Sequence, residues 1–195
     1  GLVRGLVDAD AWLGRYHVHP VEGTVALIDT EMPRATLRRW LRDQNIYHTD
    51  RVRAESFRGK LDEFDILDPA RLEEWAKALR SWAIKILVID PIGPLLATYG
   101  FSEESNTDVS KVLAAIDTLA ADAGIEEVLL VHHMGHSGER SRGASVFRGW
   151  PDAEWRLVYE ETEKGKEPKP DAARFFIAQG RDVAVPESRL EYDPE

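Results

Sequence analysis

The feature that most constrains the fold is the alternation of short apolar runs with amphipathic segments along the chain. The run at residues 85–90, KILVID, shows no polar alternation, which is typical of a strand that is buried on both faces of a parallel sheet. Strands that alternate with helical patterns indicate βαβ units. The chain is therefore predicted to be α/β, with a mainly parallel twisted sheet whose strands cover residues 24–29, 64–67, 85–90 and 128–132.

Three helices are predicted between these strands from apolar side chains at helical spacing. Pro33 suits the first turn of one helix, and Asp68 with Pro69 gives the next an N-cap and a first turn. Gly124 is placed to end the third, which covers about residues 107–123. The inward side chains are predicted to be Leu37, Trp40 and Leu41, then Leu72, Trp75, Ala76 and Leu79, then Val109, Val112, Leu113, Ile116 and Leu119.

The pattern changes near the carboxyl end of the chain. Residues 154–159 and 174–178 read as two strands joined by a polar loop that contains EKGKEPKPD. Strand, polar loop and strand together predict an antiparallel hairpin appended to the parallel sheet.

Length and composition limit the class of protein. With 195 residues and no cysteine, the chain is expected to form one domain over residues 1–195, without disulfides or a thiolate metal site. No apolar run reaches eighteen residues and the first residues do not resemble a secretory signal, so a cytoplasmic protein with no membrane partner is expected.

The charge of the chain is unevenly distributed. The formal net charge is −10, which argues against a protein that coats nucleic acid without specificity. Residues 34–60 nevertheless carry a local charge of +5. This segment is either an ordinary solvated surface or a patch that faces an anion or another subunit. Its basic residues are Arg34, Arg38, Arg39, Arg42, Arg51, Arg53, Arg58 and Lys60, against Asp43, Asp50 and Glu55.

Polar side chains follow three of the predicted strands, where open α/β sheets bind their ligands. Asp90 could hold the water shell of Mg²⁺ beside nucleotide phosphates, or simply cap the next turn. Glu31 could orient or deprotonate a water, or cap a helix. His132 and His133 must point to opposite faces, so one of them is expected to face the ligand.

Taken in chain order, three segments resemble a known family. LIDTEMP, KILVIDPIGPLL and LLVHHMGHSGERSRGASVFRGWPDAEWRL are similar to the ATPase core of hexameric replicative helicases of the RepA and DnaB type, and of related phage or mobile-element AAA-type proteins. The resemblance covers about residues 1–160. It implies a RecA-like three-layer αβα fold with a C-terminal antiparallel extension, a ring-shaped homo-oligomer that is a hexamer, ATP and Mg²⁺ as cofactors, and single-stranded DNA as partner.

The resemblance also implies roles for individual residues. Glu31 matches the catalytic glutamate, Asp90 the Walker B aspartate that acts through Mg²⁺, and His133 the residue that senses the γ-phosphate. Arg142, Ser145 and Arg148 fall in the segment that leads to the subunit interface. Glu154 stands where relatives place an arginine finger, so either Arg156 or Arg148 serves instead or the chain has no arginine finger.

The phosphate-binding motif G-x-x-x-x-G-K-[ST] does not occur in the sequence. Residues 2–7 resemble the helix that follows such a loop, so the motif is expected immediately upstream of Gly1. Glu31, Asp90 and His133 are then expected to converge at one sheet edge that faces the start of the chain.

Two loops are expected to face the central channel of a ring and to contact nucleic acid. One covers residues 91–106. The other covers residues 134–143 and carries His136, Arg140 and Arg142 among three glycines.

Two other classes of function remain open from the sequence. A non-catalytic regulator could keep the fold and assemble without hydrolysing ATP. A metal hydrolase could use His132, His133, His136 and Asp90, although the histidines do not share a helix face. Zinc analysis of the purified protein distinguishes the second class.

Overall fold

The computed structural model of the chain describes residues 1–133, 145–160 and 172–191. These residues form two compact units, Gly1–His132 and His133–Glu195. No helix within the described ranges is both long enough and apolar enough to cross a membrane. The prediction of a single domain over residues 1–195 stays a prediction.

The first unit alternates strands with helices, as the apolar pattern predicts. Its sheet has the order β2-β1-β3-β4, and all neighbouring strands run parallel. The elements are α1 (Leu2–Asp8), β1 (Thr24–Asp29), α2 (Arg34–Asp43), β2 (Val52–Ser56), α3 (Pro69–Ser81), β3 (Ile84–Asp90), α4 (Ile92–Thr98), α5 (Asn106–Ala123) and β4 (Glu127–Leu130).

Helices cover both faces of this sheet, which confirms the αβα prediction. On one face Val7 of α1 and Leu37 of α2 pack in a cluster with Val25, Leu27 and Val88 of the central strands. Strand side chains alternate, so the neighbours of those strand residues point to the other layer. That layer contains α3 and α5, which pack against each other and bury apolar side chains completely, among them Leu79, Val112, Ile116 and Leu119.

The helix ends form as the sequence predicts. The Asp68 carboxylate accepts a hydrogen bond from the Arg71 amide at 2.9 Å and so caps α3. Gly124 ends α5 with a φ of 72°, a left-handed conformation that glycine adopts without steric cost.

The predicted strand at residues 64–67 is wrong, because the second strand of the sheet lies earlier in the chain, at β2. Residues Leu61–Phe64 form a 3-10 turn instead. Phe64 and Ile66 are apolar because they are buried under α3, where the Phe64 ring lies 5.2 Å from the ring of Trp75. β2 lacks an apolar strand pattern because it contains the charged residues Arg53 and Glu55. It can carry these charges because it lies at the edge of the sheet and pairs only with β1.

Two other details differ from the sequence-based expectations. Trp40 is 54% exposed, so it is not part of the core that Leu37 joins. Residues 91–106 are not one loop, because α4 occupies Ile92–Thr98 and buries Ile92, Leu95 and Leu96. This segment is therefore anchored by its apolar side chains.

The second unit contains a short helix, α6 (Val146–Gly149), and three strands, β5 (Ala153–Tyr159), β6 (Arg174–Gly180) and β7 (Ala184–Leu190). The strands pair antiparallel in the order β5-β6-β7. The antiparallel extension is confirmed, but it is a separate three-stranded sheet. β7 is not recognisable in the sequence because it contains Pro186, which argues against a strand. Proline is accepted here because β7 is an edge strand.

Candidate functional site

The carboxyl ends of β1 and β3 lie side by side. Asp29 and Asp90 are partners in the parallel register of these strands, and neighbouring strands are about 4.8 Å apart. Two hydrogen bonds from Thr30 continue the contact beyond the strands. Its amide donates to the Asp90 carbonyl at 2.9 Å, and its hydroxyl donates to the Pro91 carbonyl at 2.7 Å.

Asp29 shapes the turn that presents Glu31. Its carboxylate is 2% exposed and accepts hydrogen bonds from the amides of Glu31, at 3.1 Å, and Met32, at 2.6 Å. The Ser56 hydroxyl donates to the Met32 carbonyl at 2.6 Å and fixes the far side of the turn. Glu31 is consequently held at the sheet edge with its side chain exposed.

Burial raises the pKa of Asp29 above its ordinary value, and the nearby negative charge of Glu31 acts in the same direction. The two amide hydrogen bonds oppose this shift. An acid whose pKa is raised by folding binds more protons in the folded state than in the unfolded state. The free energy of unfolding therefore decreases as pH rises from the unfolded to the folded pKa.

We predict that Asp29→Asn removes this decrease while its amide oxygen keeps accepting from Glu31 and Met32. The free energy of unfolding of the unmodified chain should fall relative to the variant as pH rises above about 4. Urea unfolding of both proteins at a series of pH values measures the difference. A difference that grows in the opposite direction would contradict a raised pKa at Asp29.

β4 ends at the same edge. The Val131 amide donates to the Ile89 carbonyl at 2.9 Å, and the Val131 carbonyl accepts from the Ile92 amide, also at 2.9 Å. Asp90 is half-buried between these bonded segments. Three consecutive strands of the sheet, β1, β3 and β4, thus end together.

His132 follows β4 and pairs with an acid that the sequence analysis did not single out. Its Nε2 lies 3.2 Å from a carboxylate oxygen of Glu103, and the His132 side chain is only 13% exposed. Glu103 also abuts Gly93 in the first turn of α4, where a Cβ would overlap its other carboxylate oxygen. The sequence alone does not single out Glu103, because one glutamate in the segment between α4 and α5 belongs to no recognisable motif.

His133 is the next residue and its side chain is exposed. It begins the second unit, so its position relative to Glu31 and Asp90 stays a prediction. Among the residues that the structure describes, no three histidines or acids lie close enough to hold a metal ion. His136, which the metal hydrolase hypothesis needs, lies outside the described residues.

The remaining predicted site residues belong to the second unit. Arg148 in α6 is exposed and lines an open cavity of about 380 Å³ together with Asp152, Glu154 and Arg181. Arg156 lies in β5, and its Nε is buried without a hydrogen-bond partner among the described residues. Arg140 and Arg142, like His136, are outside the residues that the structure describes.

The chain does not begin at the edge where β1 and β3 end, so that expectation is wrong. Gly1 lies beside the side chain of Gln44. Gln44 follows the last residue of α2, whereas Glu31 precedes the first, so the two lie at opposite ends of this helix. At the other end of α1, Arg51 donates to the carbonyls of Val7 and Gly23, at 3.2 and 3.0 Å. Gly23 precedes β1 and Gln44 precedes β2, so both ends of α1 contact residues that lead into the strands rather than residues that follow them.

Comparison with known proteins gives one family and a structural neighbour. The sequence pattern of the family described as AAA domain matches residues 1–139. A crystal structure of the RadB recombinase is similar to the chain with a TM-score of 0.50 and 15% identity, over 86% of this chain and 74% of that one. No curated protein matches the chain. The structural likeness supports a RecA-like fold.

Proposed function

The chain belongs to the AAA domain family, and from this premise we propose that it forms a RecA-like ATPase core that acts on single-stranded DNA. The resemblance of its motifs to helicases of the RepA and DnaB type supports the DNA-directed role. One observation carries the position of the site. The Asp29–Asp90 register brings Glu31 and Asp90 to the same sheet edge, where open α/β sheets bind ligands.

Asp90 fits a magnesium site in its chemistry. Its half-buried carboxylate offers oxygen donors, which Mg²⁺ prefers, and the buried strand β3 holds its backbone in place. Bound Mg²⁺ would neutralise the charge of the β- and γ-phosphates. In this proposal Asp90 contacts the water shell of the ion.

Glu31 would act as the general base. Its exposed carboxylate stands on a turn that Asp29 and Ser56 fix by hydrogen bonds, so it needs little reordering to meet a water. It would orient that water and accept its proton as the water attacks the γ-phosphate. His133 would donate a hydrogen bond to the γ-phosphate and respond to its loss.

Glu103 would position the histidines. Its contact with the Nε2 of His132 fixes the ring of His132, since a carboxylate bound to one ring nitrogen favours the proton there. His132 and His133 are adjacent in the chain, so a fixed His132 limits the directions that His133 can take.

The proposed assembly is a ring, with six copies as in the helicases that the motifs resemble. Arg148 or Arg156 of one copy would reach the nucleotide of the next. The Nε of Arg156 is buried and has no hydrogen-bond partner among the described residues. A buried donor of this kind normally has an acceptor, which supports a contact of Arg156 with another molecule. His136, Arg140 and Arg142 would contact the DNA, and the cytoplasm is the proposed location.

A non-catalytic regulator is the second candidate. A regulator would keep the fold and the assembly surfaces but would show no ATP turnover. Steady-state ATP hydrolysis, measured beside calorimetric ATP binding, distinguishes a regulator from an ATPase.

In a protein that carries the upstream phosphate loop, we predict that Asp90→Asn weakens ATP binding about 10- to 100-fold in the presence of Mg²⁺, because a group that holds the metal's water shell is lost. Without Mg²⁺ the affinity should hardly change. Calorimetric titration with ATP, with and without Mg²⁺, measures both. Asp122→Asn on the exposed face of α5 is the matched control. Equal losses with and without the metal would remove Asp90 from the metal site.

A further inference from the structure

We propose that the exposed face of α2 is a binding surface for single-stranded nucleic acid, separate from the 134–143 loop. This inference rests on the proposed DNA-directed function and names a surface for it. The surface, here the α2 face, consists of Arg34, Arg38, Arg39 and Arg42 with Trp40. All five side chains are exposed.

The side chains of the four arginines have no hydrogen bond or ion pair with another residue that the structure describes. Arg34, Arg38 and Arg42 follow each other at four-residue spacing, so they form one stripe with about 6 Å between successive residues. Arg39 lies next to this stripe on the solvent side. Two other basic residues of the 34–60 segment differ, since Arg51 binds two carbonyls and Lys60 pairs with Glu63.

This arrangement costs the isolated chain stability. Like charges at four-residue spacing on a helix repel one another, and Arg34 stands in the first turn, where the helix dipole disfavours a cation. The chain carries 35 acidic residues, yet only Asp43 lies within this helix. A locally unfavourable arrangement of this kind is expected at functional surfaces.

The arginines and the exposed tryptophan of the α2 face favour a polynucleotide over a second copy of the chain. Trp40, 54% exposed, lies beyond Arg39 on the far flank of the solvent side, so a strand that crosses the helix can place phosphates at the arginines and a base against the Trp40 ring. A second copy could supply carboxylates to the arginines, but it would leave the exposed Trp40 ring without a base on which to stack.

The test is the salt dependence of binding to fluorescein-labelled oligodeoxythymidylate, followed by anisotropy. For single strands the slope of log K against log salt is about −0.7 per phosphate contact. The combined variant Arg34→Gln, Arg38→Gln and Arg42→Gln should therefore reduce the slope by about 2 and weaken binding about 100-fold at 0.1 M salt. Trp40→Ala should weaken binding about tenfold at every salt concentration.

The matched control removes three exposed arginines elsewhere, by Arg71→Gln, Arg80→Gln and Arg181→Gln. It changes the net charge equally and should leave the slope near that of the parent. The proposal for the α2 face would be overturned if the parent, the combined variant and the control had equal salt slopes. It would also be overturned if the variant and the control lost affinity equally. The same holds if light scattering shows a changed oligomeric state with an unchanged slope, which would assign the face to a second copy. If the parent itself fails to bind the oligonucleotide, the DNA-directed function fails as well.

Discussion

Replacing Glu31 by Gln is expected to reduce ATP turnover about 10²- to 10⁴-fold, in a protein that carries the phosphate loop, while ATP binding is largely kept. The amide has the size of the carboxylate but cannot accept a proton from the attacking water. Because the loss concerns the chemical step, kcat should fall and the calorimetric affinity for ATP should not. Steady-state hydrolysis together with calorimetry checks both parts.

The matched control for this change is Glu22→Gln. Glu22 is also an exposed glutamate next to β1, but it precedes the strand and lies at the opposite edge of the sheet. Its replacement should leave kcat unchanged. If the Glu31 variant hydrolyses ATP at the parent rate, the general base is wrongly assigned. If neither parent nor variant turns over ATP although both bind it, the regulator is the better account.

Replacing Phe64 by Ala should lower the free energy of unfolding by about 3–5 kcal/mol. Phe64 is completely buried, and its ring lies 5.3 Å from that of Phe57 and 5.2 Å from that of Trp75. Removal of the ring would leave a cavity that these neighbours cannot fill without losing their own packing. Urea unfolding of the 195-residue chain, which does not need the phosphate loop, measures the loss.

Tyr47→Ala provides the comparison, because the Tyr47 side chain is 84% exposed. Its effect on the free energy of unfolding should stay within about 0.5 kcal/mol. A loss at Phe64 no larger than the loss at Tyr47 would mean that residues 61–66 do not pack under α3.

The central part of the fold is predictable because its strands are buried on both faces and its helices on one face, and each kind of burial leaves a regular apolar pattern in the sequence. β3 is apolar along its length, and α5 shows its apolar face at regular spacing with a glycine at its end. The pattern fails where apolar residues outside a strand are buried by tertiary contacts. Phe64 and Ile66 are such residues, whereas the edge strand β2 carries charges because one side of it is open.

The candidate site is predictable to a similar degree. The shared sheet edge of Asp90 and Glu31 is predictable because parallel strands present their carboxyl ends on one side of the sheet. The supporting residues cannot be predicted, because their roles depend on contacts between distant segments. Ser56 reaches Met32 across the end of β2, and Glu103 reaches His132 from the segment before α5.

The position of the metal ion tests the central claim most directly. Crystals of the protein with its upstream phosphate loop, grown with a non-hydrolysable ATP analogue and Mn²⁺ in place of Mg²⁺, would reveal the ion by anomalous scattering. We expect one Mn²⁺ peak beside the Asp90 carboxylate, with Glu31 facing the γ-phosphate from the end of β1. A nucleotide and metal bound elsewhere, away from the edge where β1 and β3 end, would contradict the account.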